Sequence, residues 1–312
     1  MIKHALVTGS NGFVGRHMVK KLEEVGYDVT QIDISYEEYK HSPTIHIDCR
    51  NFFALCRDYF DVVIHASAYI GGRTEIEENA TFLGAYNLQL DSALFDWALR
   101  IKPAHIVCLS SSAVYPIELQ EKSSDRMVSA LREIDQSIFT PRYPDATYGW
   151  TKLTLERLAY EYTRETGRSC HVVRPFSGYG TDQGVDYPFG AFLERTLNRE
   201  NPFKIWGDGS QVRDWIHIDD ICNAIMIMIN KDIPGPVNLC SGIPTPFAEL
   251  AELFISKVSE LSGRDYVPEI EYCGDKPTGV SIRYGDPSRM HEFYTPLVSI
   301  DEGVSRALRL WP

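Results

Sequence analysis

Ala5-Leu-Val-Thr-Gly-Ser-Asn-Gly-Phe-Val-Gly15 runs from a short apolar strand pattern into the start of a helical one, with glycines at 9, 12 and 15. Its place between strand and helix gives the spacing a physical meaning. Gly9 permits a tight turn, Gly12 lets the backbone approach a pyrophosphate, and Gly15 lets helix pack on strand. The free N–H groups and partial positive charge of a helix start suit phosphate. Asp33 closes the second strand pattern, eighteen residues after Gly15. A carboxylate there accepts hydrogen bonds from adenosine ribose hydroxyls and repels a 2′-phosphate, so the cofactor reading is NAD rather than NADP. A plain turn residue is the alternative for Asp33. Asp48 and Arg50, after the third strand, either flank an adenine or form a solvated pair.

Outward from this loop, strand patterns fall at 5–8, 28–32, 44–47, 62–65, 105–110 and 170–174. Helical patterns fall at 13–26, 75–101 and 146–166. Strand–helix alternation of this kind predicts an α/β fold with a doubly wound parallel (Rossmann) sheet whose strands are buried and apolar. After Pro175, Gly and Pro become frequent and strands shorten, which marks a smaller C-terminal substrate-binding domain. Residues 219–230 and 237–240 again read as a helix and a buried strand. The expected division is therefore 1–175 plus about 219–241 against about 176–218 plus 242–312. The polar stretch 118–132 is the hardest to assign.

The 312 residues fit about two domains. With 43 acidic against 31 basic residues the formal charge is -12, so nonspecific nucleic-acid binding has no electrostatic driving force. The longest apolar runs, such as 221–229, span fewer than ten residues, too short to cross a bilayer. Strand-like sequence from residue 2 leaves no room for a signal peptide. Seven cysteines without a Cys-x-x-Cys pair argue against a disulfide framework or zinc knuckle. His65, His217 and the other histidines are scattered and read as packing or cofactor-wall residues, with no metal expected. These features together lead to the expectation of a cytoplasmic enzyme.

Tyr148-Gly-Trp-Thr-Lys152 sets a phenol and an ammonium four residues apart, on one helix face. A hydride leaves an alcohol carbon only as its hydroxyl loses a proton. An ordinary tyrosine titrates near pH 10, so Lys152 and a cationic nicotinamide must favour the phenolate. The same spacing recurs at Tyr36 and Lys40, but in a charged loop without a serine at a strand end before it. Tyr148 instead follows Ser110-Ser-Ser-Ala-Val-Tyr115, where Ser111 or Ser112 can complete a proton relay.

The glycine loop, Asp33, the serine run and Tyr148/Lys152 together resemble the extended short-chain dehydrogenases/reductases, within them the nucleotide-sugar epimerases and dehydratases. The likeness extends to Arg174-Pro-Phe-Ser-Gly-Tyr-Gly180, to Trp206-Gly-Asp-Gly-Ser-Gln-Val-Arg-Asp-Trp-Ile-His-Ile-Asp-Asp220 and to Asn238-Leu-Cys-Ser-Gly242. The resemblance implies Ser111 as catalytic hydroxyl beside Tyr148 and Lys152. It implies a cofactor wall of Asn11, Phe13, Val14, Asp48, Cys49, Ala66, Ser67, Ala68 and Arg174 around the glycines. On the substrate side it implies Ser112, Ser177, Arg213 and Arg283, the two arginines clamping a diphosphate. A guanidinium pairs bidentately with phosphate, although Arg213 has a salt bridge to Asp214 or Asp219 as its alternative. The partners implied are a nucleotide-diphosphate sugar and a second copy in a homodimer, with no nucleic acid and no membrane.

Departures from the family narrow the chemistry. Dehydratases carry an acidic pair after the catalytic Ser/Thr, where this chain has Ser112 and Ala113. Gly71-Gly72 and Pro116 resemble the GDP-fucose synthases and GDP-mannose 3,5-epimerases, which use a Cys at the position of Ala113. An alanine transfers no proton. Ser177 replaces the usual Asn. What remains is C4 hydride chemistry, as a nucleotide-sugar 4-epimerase with bound NAD. The rival is a 4-keto-sugar reductase consuming NAD(P)H, and a third reading is a catalytically silent dinucleotide sensor.

Overall fold

The computed structural model describes residues 2–35, 44–122 and 128–310. Tyr36 and Lys40, and residues 123–127 of the polar stretch, lie outside the described residues. The first half alternates as expected: β1 (Lys3–Thr8), α1 (Phe13–Glu24), β2 (Tyr27–Asp33), β3 (Ile45–His46), α2 (Cys49–Leu55), β4 (Val62–His65), α3 (Arg73–Glu78), α4 (Ala80–Ile101), β5 (His105–Leu109), α5 (Ala146–Thr166) and β6 (Ser169–Pro175). There follow β7 (Ser177–Tyr179), α6 (Pro188–Leu197), β8 (Phe203–Trp206), β9 (Val212–His217), α7 (Ile218–Lys231), β10 (Val237–Leu239), β11 (Pro244–Pro246), α8 (Phe247–Ser262), β12 (Ile270–Cys273), β13 (Ile282–Arg283), α9 (Ser288–His291) and α10 (Ile300–Leu310).

The central sheet has seven parallel strands in the order β10-β6-β5-β4-β1-β2-β3. Side-chain alternation explains why both faces are covered. Along β1, Ala5 and Val7 join Met18, Leu22, Ile221 and Ile225 of α1 and α7. Leu6 points the other way, toward Phe53, Leu94, Trp97 and Leu155 of α2, α4 and α5. Burying each such side chain contributes about 1.5–3 kcal/mol. The order reverses direction at β1 and β4, so the C-terminal ends of these strands open a crevice there.

The helix expected over 75–101 is two helices. Asn79, at φ -111 and ψ 30, breaks it, and its side-chain amide donates to Glu75 at 2.9 Å. Asn79 leaves the helical range of backbone angles, and the same residue starts the next helix.

Beyond β6 the chain builds smaller layers. β9 pairs with β7 and β13 in parallel and with β11 antiparallel, while β12 pairs with β8. Phe189, Phe192, Phe203, Trp215 and Phe254 form the core of these layers. α7 and β10 return to the large sheet. The described parts of 118–132 pack beside β13: Ile282 donates to the Gln120 carbonyl, and Leu131 bridges Gly285. Among the described residues no helix is long and apolar enough to cross a membrane.

Candidate active site

The glycine loop lies at the mouth of the crevice. Gly9 has φ +67, and a Cβ there would sit 2.8 Å from the Ser67 amide nitrogen. A Cβ at Gly15 would overlap the Gly9 carbonyl oxygen, so α1 starts directly on the turn. Gly12 caps α1 without a side-chain hydrogen bond, and the first turn carries no acid. Its N–H groups therefore face the crevice without an internal anion. Phe13 and Val14 are half-buried in that turn.

Asp33 closes the loop from below. Its carboxylate accepts from the amides of Asn11 at 2.9 Å and Ser35 at 2.8 Å. Ala66 donates its N–H to the Thr8 carbonyl, and Ser67 donates to the Thr8 hydroxyl, so 66–68 runs alongside Gly9. Cys49 is buried beside Ser67, and burial pushes its thiol up to about 12. Asp48 caps α2 and forms a closed pair with Arg50 at 2.6 Å. This residue set fits a dinucleotide: a loop that side chains would fill, uncapped helix N–H groups, and a carboxylate at the end of β2.

Two elements bring the catalytic candidates together. Ser111 caps the short 3-10 turn Ser112–Val114, its hydroxyl accepting from the Ala113 amide at 3.1 Å. α5 crosses this turn so closely that a Cβ at Gly149 would strike the Ala113 carbonyl. That contact explains the glycine after Tyr148 and turns the phenol toward the Ser111 hydroxyl. Tyr148 and Lys152 are 7% and 3% exposed, and the ammonium lies 5.8 Å from the centre of the phenol ring. Burial lifts Tyr148 well above the ordinary phenol range, the Asp91 charge adds to this, and the Ser111 hydrogen bond opposes it. Burial lowers Lys152, with Asp91 acting the other way. Asp91 itself is held by His65 at 3.2 Å, and His65 by the Thr8 hydroxyl at 3.0 Å.

Ser110 and Ser112 sort apart from Ser111. Ser110 donates to buried Glu156 at 2.5 Å, and Ser112 is buried in the turn. Arg174 departs from its expected place in the cofactor wall. It is fully buried, its guanidinium forms a bidentate pair with Glu156 at 2.8 and 2.7 Å, and it lies over the Tyr115 ring. Its donors are turned to the protein interior because Glu156, on the inner face of α5, is a buried charge that needs them.

On the opposite wall stand Arg213 on β9 and Arg283 on β13, in adjacent register positions. Arg213 donates to the carbonyls of Val212 and Thr278 and has neither of the carboxylate partners weighed for it. Burial, with Arg283 and Arg73 nearby, pushes it down to about 9. Asp145, just before α5, binds Arg283 at 2.6 Å and Arg73 at 2.9 Å. Burial works against the Asp145 charge, but Arg283 and Arg73 outweigh it and hold the carboxyl below its usual range. Arg73 also pairs with Glu77 at 2.6 Å, so three guanidiniums stand near two carboxylates and leave an excess of positive charge in an acidic protein. Ser177, on β7, is half-buried opposite Trp215 in the register. The sequence reading missed Arg73, Asp145 and Asp91. Arg73 directly after Gly71-Gly72 was the available signal for the first.

Residues 5–240 match the family described as the NAD dependent epimerase/dehydratase family. The chain is 25% identical to GDP-mannose 3,5-epimerase 1 of Oryza sativa subsp. indica over 96% of its length and 79% of that protein. It is 28% identical to a dTDP-4-dehydro-6-deoxy-D-allose reductase of Streptomyces sp, covering 92% of this chain and 89% of the relative. Among solved structures it resembles the UDP-glucuronic acid 4-epimerase of Bacillus cereus in complex with UDP-glucuronic acid and NAD, at 26% identity, a TM-score of 0.80 and 98% coverage of both chains.

Proposed function

The chain belongs to the NAD dependent epimerase/dehydratase family, and within it we propose an NAD-dependent nucleotide-sugar 4-epimerase. The observation that carries this reading is the catalytic corner itself. Tyr148, Lys152 and Ser111 converge, while Ala113, in the same turn, offers no second proton donor. A site with one acid–base group serves one carbon, whereas dehydration or 3,5-epimerisation needs further proton transfers.

Bound NAD supplies the hydride acceptor and donor for C4. The chain's own residues do the rest. The N–H groups of the α1 start and the Asp33 carboxylate hold the dinucleotide. Lys152 holds positive charge beside the Tyr148 ring and favours the phenolate. Tyr148 takes the proton of the C4 hydroxyl and later returns it, and the Ser111 hydroxyl holds the oxygen in line. Arg213 and Arg283 grip the diphosphate, so the sugar alone turns over between the two half-reactions. Arg73 adds a third cation at that wall.

The likeness to the Streptomyces reductase favours a second reading, reduction of a nucleotide 4-keto sugar at the same residues. One experiment separates them. Purified protein is incubated with UDP-, GDP- and dTDP-sugars without added cofactor, and products are resolved by NMR. Interconversion of C4 epimers with no added NAD(P)H supports the epimerase. No such product, together with stoichiometric NADPH oxidation when a 4-keto sugar is supplied, replaces it with the reductase.

A further inference from the structure

At the far end of the sheet from the glycine loop, two histidines read as scattered packing residues meet. His105 opens β5 and His171 lies in β6, where the register pairs His105 with Ser169 and Val107 with His171. By side-chain alternation both histidines face the α7 side of the sheet. Nδ1 of His105 and Nε2 of His171 are 3.0 Å apart, with rings 21° from parallel. Asp232, which ends α7 at φ 53, places Oδ1 3.9 Å from each nitrogen. A triangle with sides of 3.0, 3.9 and 3.9 Å has a centre about 2.1 Å from every corner, the distance at which zinc holds imidazole nitrogen and carboxylate oxygen.

The surroundings prepare these atoms as ligands. Nδ1 of His171 lies 2.8 Å from the Ile233 carbonyl, an acceptor only, so Nδ1 carries the proton and Nε2 presents its lone pair. Burial favours the neutral form of both rings, the form that binds metal. The His171 side chain is 1% exposed, His105 28% and Asp232 63%, so a cation has a path from solvent and one open position for water.

We propose that His105, His171 and Asp232 form a binding site for one divalent cation of the zinc class. On binding, the cation replaces the proton shared between the two rings, and the His105 proton moves to its outer nitrogen, Nε2. The ion ties the end of α7 to β5 and β6, where the chain turns toward β10. The role is structural, and it stands apart from the catalytic reading.

The test uses untagged protein, stripped with a chelator and dialysed, then titrated with zinc chloride in a calorimeter and melted with and without the metal. The expected result is saturable binding of about one zinc per chain and a melting temperature raised by several degrees at roughly 100 times the dissociation constant. Asp232→Asn keeps a residue that tolerates the left-handed backbone. His105→Gln leaves the buried His171 untouched. Each should weaken zinc binding by at least about tenfold while the metal-free protein melts as before. Zinc binding that is undiminished in the double variant, or no saturable binding by the unmodified chain, overturns the site.

Discussion

Tyr148 is held protonated by its own protein. Burial raises it, and the nearby Asp91 charge raises it further, so the metal-free, cofactor-free chain presents a phenol and not a base. Positive charge from Lys152 and a bound oxidised nicotinamide must reverse this. Tyr148→Phe removes the transferable proton and little packing volume. It should lower kcat by about 10²–10⁴-fold with the melting temperature unchanged, since that is the usual worth of a positioned acid–base group. Retention of most turnover would take the acid–base role away from Tyr148. Asp91→Asn tests the tuning. Removing the negative charge favours the Tyr148 phenolate, so the rising acid limb of the kcat/KM profile should move to lower pH by about half a unit to one unit. Loss of the Asp91 charge also lowers Lys152, whose ammonium then favours the phenolate less, which makes the shift smaller than removal of the carboxylate alone would give. A limb that stays in place would mean that Asp91 serves packing alone.

At the scale of elements, α5 carries two functions at its start. Tyr148 and Lys152 lie on its face, and Asp145 precedes its first turn. An aspartate there is an ordinary N-cap by sequence, yet it makes no cap hydrogen bond. Its carboxylate spans Arg73 at the start of α3 and Arg283 on β13, so it ties three elements together. Breaking a buried pair costs about 3–5 kcal/mol, and the partial exposure of Arg73 reduces this to about 2 kcal/mol. Asp145→Asn should therefore lower the melting temperature by about 3 °C. It also removes the carboxylate shared by Arg73 and Arg283, leaving Arg73 its Glu77 partner, so added pyrophosphate should raise the melting temperature more in the variant than in the native chain. Equal shifts would show that Asp145 does not compete for the anion-binding arginines. This element also marks where reading the sequence stopped. The glycine loop and the Tyr148/Lys152 pair were legible because their spacing lies within one turn or one helix. Arg174 misled because its partner, Glu156, sits on another element and claims its donors. His105 and His171 meet only through the β5–β6 register, which no local pattern encodes.

The charge of the whole molecule repels the proposed ligand, whereas the arginine wall would attract it. Its formal charge of -12 opposes an approaching nucleoside diphosphate, while Arg73, Arg213 and Arg283 act only at short range. For a dianion roughly 25 Å from the centre, the unscreened repulsion is about 4 kcal/mol in water, and it falls to about 2 kcal/mol at 0.01 M salt. At 0.15 M salt the Debye length is about 8 Å and the far field vanishes, whereas the contacts within the arginine wall persist. Raising ionic strength from 0.01 to 0.15 M should therefore increase kcat/KM by up to about tenfold. Replacing Arg213 by Met should raise KM by about 10–100-fold at every salt concentration and leave that rise intact, since a lost charge-assisted contact is worth about 1.5–3 kcal/mol. A steady fall of kcat/KM with salt would assign the approach, as well as the grip, to the arginine wall.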